Sequence, residues 1–240
     1  MAKQSWSIIV FGYNEEATVG KVIKSVIEFC SVNGIRDYEI IAVDDGSTDS
    51  SYNIIKQLSS IHKVIKPIRN NSNLGIGPTM INGYRASQKE NVIAIPADGQ
   101  FEINELFDFI NFDEKSFLSF YREQKDYTLY RKIVSQANRA FNLALSMNVK
   151  DVNWVKAYKK NDLERIKLKL NSSLVNSEIC SKLQIMDYKI HEIPSVYHSR
   201  IGGRARGASF KTVSQAIIEL LKLAFIISSF KKNFKKKAVG

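Results

Sequence analysis

A chain of 240 residues with 44% apolar and 25% charged content is composed like a soluble globular protein, large enough for one domain or one domain with an appendage. The formal charge is +11, but residues 200–240 hold ten Lys/Arg against one acid, Glu219, so nine of those charges sit in the tail. That distribution excludes a protein coated uniformly for nucleic acid and points to a local anionic partner. Cys30 and Cys180 are far apart and neither belongs to a CxxC pair, which excludes a disulfide framework and suits a reducing cytosol. The N-terminus enters a strand pattern almost at once, without the long apolar stretch or cleavage site of a signal peptide.

In chain order, Ser7–Phe11 reads as a strand. Ala17–Phe29 reads as a helix, with apolar residues at Val19, Val22, Ile23, Val26 and Ile27. Tyr38–Val43 is a second strand and Ser51–Leu58 a second helix, N-capped by Asp49 or Ser50. Val64–Ile68 is a third strand. Pro78–Ser87 is a third helix with Pro78 at its first position. Asn91–Ile95 is a fourth strand. Strands alternating with helices imply parallel βαβ units with right-handed crossovers. The second half is less regular. Helices are expected at Ile103–Ile110, Arg131–Met147, Asp162–Leu170 and Val175–Leu183, and a strand at Lys189–Ile193, punctuated by Pro194. A Gly- and Arg-rich loop follows. Val213–Phe230 closes the chain as an amphipathic helix with a basic end.

Two of the apolar runs end in carboxylates, at Val43–Asp49 (VDDGSTD) and Pro96–Gln100 (PADGQ). Open α/β sheets bind ligands beyond the carboxyl ends of their strands, so Asp44, Asp45 and Asp98 should meet at one crevice. A carboxylate there can accept a ring N–H of uracil or guanine. Gly46 permits a tight turn, and Ser47, Thr48 and Asp49 can start a helix. Asp98 and Gln100, two apart on an extended segment, share a face and offer the oxygen ligands that Mg2+ or Mn2+ prefers. Tyr13 could stack on a base and Glu15 could reach a ribose; Asn14 and Glu16 suit a turn-and-cap role equally. The run NLGIG, which includes Gly75, fits no Walker or Rossmann fingerprint; its glycines suit close backbone packing beside a donor.

Taken in order, FGYNEE at Phe11–Glu16, VDDGSTD, NLGIGPTMINGYRAS at Asn73–Ser87, PADGQ, and the segments VKDVNWVKAYKKNDLERI and YKIHEIPSVYHSRIGGRARGAS resemble the family 2 glycosyltransferases of GT-A fold. The resemblance covers roughly residues 5–215 and is strongest to the polyprenyl-phosphate mannosyl- and glucosyltransferases. It implies an α/β fold with a mostly parallel Rossmann-type sheet flanked by helices. Residues 1–212 would form the catalytic domain, with a nucleotide-sugar half (1–100) and an acceptor half (101–212), and residues 213–240 a membrane-docking tail. It further implies inverting sugar transfer from a nucleoside diphosphate sugar to a polyprenyl phosphate. The nucleotide sugar would be held by Tyr13, Glu15, Asp44, Asp45 and Gly75, and Mg2+ or Mn2+ by Asp98 and Gln100. Pro96 departs from the pattern. It stands where the family has the first Asp of its DxD, so the site has one carboxylate fewer.

Arg200, Arg204 and Arg206 lie in a stretch resembling the family's phosphate-binding R-x-x-G-x-S-K element, and Arg guanidinium suits bidentate phosphate binding. A phosphomonoester acceptor is already anionic near neutral pH and needs no general base, whereas a sugar hydroxyl does. Asp98, Glu178 and Asp151 are therefore the candidate catalytic carboxylates, the last two as bases if the acceptor is a hydroxyl. His62, His191 and His198 read as surface or core residues, with His198 a possible substrate contact. The tail is too short in apolar residues to span a bilayer and fits an amphipathic helix in the interface, placing the protein on the inner face of a membrane. Nucleic acid is not an expected partner. Two other readings stay open: transfer to a saccharide or protein hydroxyl, and a non-catalytic nucleotide-sugar-binding protein.

Overall fold

The computed structural model describes residues 3–123, 148–196, 198 and 210–239. Strands β1 (Trp6–Gly12), β2 (Tyr38–Asp44), β3 (Ile65–Arg69) and β4 (Asn91–Pro96) alternate with helices α1 (Val19–Val32), α2 (Ser51–Ile61) and α3 (Ile76–Ala86). A 3-10 turn at Ile103–Phe109 leads to β5 (Ser116–Arg122). Then come β6 (Lys156–Lys159), α4 (Lys160–Ile166), α5 (Val175–Ile185), β7 (Lys189–Ser195) and the long helix α6 (Phe210–Val239). Among the described residues the strands form one sheet in the order β3-β2-β1-β4-β6-β5-β7. All neighbouring pairs are parallel except those that β6 makes with β4 and β5.

The expected mostly parallel α/β sheet flanked by helices is therefore present. β1, β2 and β4 are buried on both faces, as their continuous β-branched runs require, while the outer strands β3 and β7 are partly exposed. Alternate residues feed two cores. Trp6, Ile8, Val10, Ile40, Ala42, Ile93 and Ile95 pack with α1, α2 and the 3-10 turn. Ile9, Phe11, Ile41, Val43, Val92 and Ala94 pack with α3, α4 and α5 on the other side.

Several expectations shift. The helix expected at Ile103–Ile110 is present as a 3-10 helix over Ile103–Phe109. α3 starts at Ile76, so Pro78 is its third residue and not its first. α4 starts two residues before the expected Asp162 and stops at Ile166, because Lys167 turns left-handed (φ 47°). Pro194 lies inside β7, the last strand of the sheet, where a missing N–H is tolerated. β5 and β6 were not anticipated. The expected helix Arg131–Met147 lies outside the described residues.

α5 carries a buried ion pair on its inner face. Glu178 and Lys182 are 0% and 1% exposed, and Lys182 Nζ lies 2.5 Å from Glu178 Oε1. The Glu178 carboxylate also accepts the backbone N–H groups of Lys169 and Leu170. The Lys182 ammonium donates to the carbonyls of Ile166 and Lys167 and lies 5.4 Å from the centre of the Phe230 ring on α6. Both charges are thus committed to holding the loop after α4. Loss of one partner strands the other charge in the core, at a cost of about 3 kcal/mol. Glu178→Gln should lower the unfolding free energy by roughly that amount, read as a fall in urea midpoint without a change in slope.

Candidate active site

The register of the sheet sets the site. Gly12 pairs with Asp44, Phe11 with Pro96, and Asp44 with Arg69, so the carboxyl ends of β1 to β4 finish at one level. The loops leaving β1, β2 and β4 border a cleft of about 610 Å3, lined by Tyr13, Glu15, Asp45, Gly75, Pro96 and Asp98, among others. The crevice expected from the acid-ended strands is present, and Asp45 and Asp98 both reach its wall.

The rim after β1 and the turn after β2 are stitched together. Asn14, left-handed at φ 56°, donates its N–H to Ser47 Oγ and accepts the N–H of Thr48. Glu16 donates its N–H to Asp49 and accepts that of Ser50. These are turn and cap contacts, in keeping with one of the two roles open to Asn14 and Glu16. Gly46 sits at φ 71°, and a Cβ there would lie 2.6 Å from the Ser72 carbonyl carbon.

Asp45, 4% exposed, organises the Gly-rich run. Its Oδ1 accepts from Asn70 Nδ2 (2.8 Å) and the Leu74 N–H (2.9 Å), and its Oδ2 from the Gly75 N–H (2.9 Å). That run leads into α3, whose second residue is Gly77. A Cβ on Gly77 would stand 1.9 Å from the Ser172 carbonyl oxygen, so only glycine lets the loop before α5 close against the cleft wall. This is the close backbone packing anticipated for the run. Asp44 lies below the cleft and does not line it. Its Oδ2 accepts the Ser47 N–H (3.0 Å) and pairs with Arg69 Nε (3.4 Å); its buried Oδ1 has no hydrogen-bond partner among the described residues. Arg69, which stacks on Tyr52 at 4.8 Å, was not picked out from the sequence; its place at the end of β3, opposite Asp44, was the available signal.

Asp98 is 6% exposed, and its Oδ1 accepts the Gln100 N–H (3.1 Å). Gln100 stands outside the cleft lining and donates from Nε2 to the carbonyl of His198 (3.1 Å). His198 Nε2 lies 3.0 Å from Glu102, and the Val196 N–H bonds Glu105, whose carboxyl burial pushes above the usual range. The segment leaving β7 is thereby pinned beside the Asp98 turn, two residues before Arg200. Arg200, Arg204 and Arg206 themselves lie outside the described residues.

The two candidate bases are engaged elsewhere. Glu178 is held in the core by Lys182 and lies outside the cleft lining. Asp151 receives a bidentate contact from Arg122, with Nε at 2.8 Å and Nη2 at 3.1 Å, and Arg122 stacks on Trp154 at 4.7 Å. Beneath them the Lys156 ammonium donates to the carbonyls of Phe120, Asp151, Trp154 and Val155, and burial pushes its pKa down to about 8.

Among the described residues no group of three or more His, Cys, Asp or Glu is placed to hold a metal. The cleft wall offers the carboxylates of Asp98 and Asp45, and Pro96 offers no side-chain ligand. That set fits a hard divalent cation which takes one or two protein carboxylates and completes its shell with phosphate oxygens and water.

Residues 7–167 match the family model for Glycosyl transferase family 2. The chain is 27% identical over 133 residues to an undecaprenyl-phosphate 4-deoxy-4-formamido-L-arabinose transferase of Pectobacterium carotovorum, a match covering 54% of this chain and 40% of that one. It is 27% identical over 103 residues to a dolichyl-phosphate beta-glucosyltransferase of Trichomonas vaginalis, covering 41% and 32%. The matches thus span less than half the length of these relatives. A mannosyltransferase of Pyrobaculum calidifontis, solved in complex with GDP-Man and Mn2+, shares the fold with a TM-score of 0.62 at 16% identity, over 99% of this chain and 76% of that one.

The Asp45 carboxylate carries the site's most specific expectation. Asp45→Asn replaces one acceptor oxygen by a donor facing backbone N–H groups, leaving one of them unsatisfied. Stability should fall by about 1–3 kcal/mol. The thermal shift that a nucleoside diphosphate sugar gives the native protein should shrink, as read by melting curves with GDP-, UDP- and dTDP-sugars.

Proposed function

Because the chain belongs to Glycosyl transferase family 2, we propose that it moves one sugar, with inversion, from a nucleoside diphosphate sugar to a polyprenyl phosphate at a membrane surface. The observation that carries this reading is the cleft at the carboxyl edge of the sheet, with Asp45 and Asp98 on its wall. The names of the undecaprenyl- and dolichyl-phosphate relatives support the lipid acceptor.

Asp45 takes the nucleoside from the cleft wall, and Asp44, buried beneath it, holds the turn after β2 through the Ser47 N–H and Arg69 in place of the direct contact expected of it. Tyr13 and Glu15 line the same cleft and contact base and ribose. α3 begins at the wall, directly after Gly75, so the positive end of its dipole favours the donor diphosphate. Arg200, Arg204 and Arg206, two to eight positions beyond His198 in the sequence, bind phosphates in this reading. Mg2+ or Mn2+ would be held by Asp98 and would stabilise charge on the departing diphosphate, whereas Gln100, expected as a second ligand, stands outside the cleft lining with its amide on the His198 carbonyl. An acceptor phosphate oxygen attacks the anomeric carbon from the face opposite the diphosphate. The bond from that carbon to the diphosphate oxygen breaks, and its electron pair leaves with the nucleoside diphosphate.

The geometry also favours a phosphate acceptor over a hydroxyl. Glu178 and Asp151, the two candidate bases for a hydroxyl acceptor, are held by Lys182 and Arg122. An anionic phosphate makes no such demand.

Purified protein should release nucleoside diphosphate and form a glycosyl phospholipid from at least one common sugar nucleotide, with undecaprenyl phosphate in detergent and Mg2+ or Mn2+ present. Asp98→Asn should lower turnover by about 10²–10³-fold while nucleotide-induced thermal shifts persist. Release from no sugar nucleotide under these conditions would sink the reading. Product on a saccharide or protein hydroxyl alone would replace the acceptor, and ligand binding with no turnover at all would favour a non-catalytic sugar-nucleotide binder.

A further inference from the structure

α6 has two working faces. Leu223 and Ile227, 0% and 2% exposed, pack on Leu170, with Leu174 and Ile185 at the edge of the cluster. On the opposite side Ile218, Leu221 and Phe225 are 54%, 66% and 77% exposed. At about 100° per residue, Lys232 and Lys236 continue that exposed face toward the end of the helix, and Lys235 borders it. From Ile218 to Lys236 the stripe runs roughly 27 Å. Glu219 is the acid in this stretch, against exposed lysines at 222, 231, 232, 235 and 236.

The pattern selects among occupants. Two copies laid face to face in parallel would bring their lysine runs together, and antiparallel pairing would offer those lysines apolar side chains and no carboxylate beyond Glu219. Like charges brought together oppose association. An apolar half followed by a basic half on one exposed face matches a helix lying in a headgroup layer. Among the described residues no helix is long and apolar enough to cross a membrane.

We propose that this face of α6 rests on an anionic bilayer, with Ile218, Leu221 and Phe225 at the acyl boundary and Lys232, Lys235 and Lys236 on lipid phosphates. The inference deepens the function proposed above and rests on it for the choice of a lipid surface. The inward stripe keeps α6 attached to the folded body, so docking needs no insertion of other elements.

The test is cosedimentation of the full chain with vesicles of equal parts phosphatidylcholine and phosphatidylglycerol, against vesicles of phosphatidylcholine alone. The native chain should bind the anionic vesicles. Each lysine near the surface is worth roughly fivefold, so Lys232→Gln/Lys235→Gln/Lys236→Gln should weaken binding about a hundredfold. Leu221→Ser/Phe225→Ser should weaken it at least about tenfold. Both variants replace exposed side chains, and their circular dichroism and urea midpoints should match the native chain. A native chain that stays in the supernatant overturns the proposal, as do variants that bind like the native chain. If Leu221→Ser/Phe225→Ser turns a dimer into a monomer and leaves vesicle binding intact, the face joins two copies and the proposal falls. Sugar transfer to detergent-dispersed acceptor, measured on the same samples, separates the two readings. Docking without transfer supports this face and removes the transferase reading, whereas transfer without docking does the reverse.

Discussion

Everything at the cleft depends on strands that run parallel and finish level. The pairing of Gly12 with Asp44 and of Phe11 with Pro96 fixes where three loops leave the sheet. A slip of one residue in β2 would turn Asp44 and Asp45 to opposite faces and send Ile40 and Ala42 into the wrong core. The hydrophobic alternation that feeds both cores therefore also aims the carboxylates. Core packing and site geometry are one constraint.

The donor side is held by polar groups more than by apolar ones. Asp45 gathers Asn70, Leu74 and Gly75, and the bonds between Asn14 and Thr48, from Glu16 to Asp49 and from Ser50 to Glu16 join two rims. A site built this way is formed before a ligand arrives, so less ordering is charged against binding. Pro96 works in the opposite sense. It preserves the strand end and its place on the wall, but lowers the negative charge that a cation would meet.

The first half of the fold was legible because its strands are short β-branched runs between turn residues and its helices carry a clear apolar period. VDDGSTD and PADGQ announced the cleft for the same reason: acids at strand ends have a position dictated by the sheet. β6 was not legible. Its four residues include Lys156 and Lys159, 1% and 3% exposed, and lysine in a sequence argues for a surface. Only the fold supplies the carbonyls around Lys156 and the carboxylates of Glu90 and Glu114 beside Lys159. Ser116 and Ser119 likewise blunt the apolar pattern of β5. Glu178 shows the reverse difficulty. An acid at the start of a helix looks available for chemistry; the i,i+4 spacing to Lys182 is readable, but only the packing shows both charges buried under the loop after α4.

Lys182 has a wider consequence. One buried ammonium touches the carboxylate of α5, the last carbonyls around the end of α4 and an aromatic ring of α6. Peeling away the C-terminal helix would therefore uncover a charge in the interior as well as an apolar stripe. An element that looks peripheral on the chain becomes part of one cooperative unit with the second half of the sheet. A force applied to α6 at a surface would be resisted by the body of the protein and not by the helix alone.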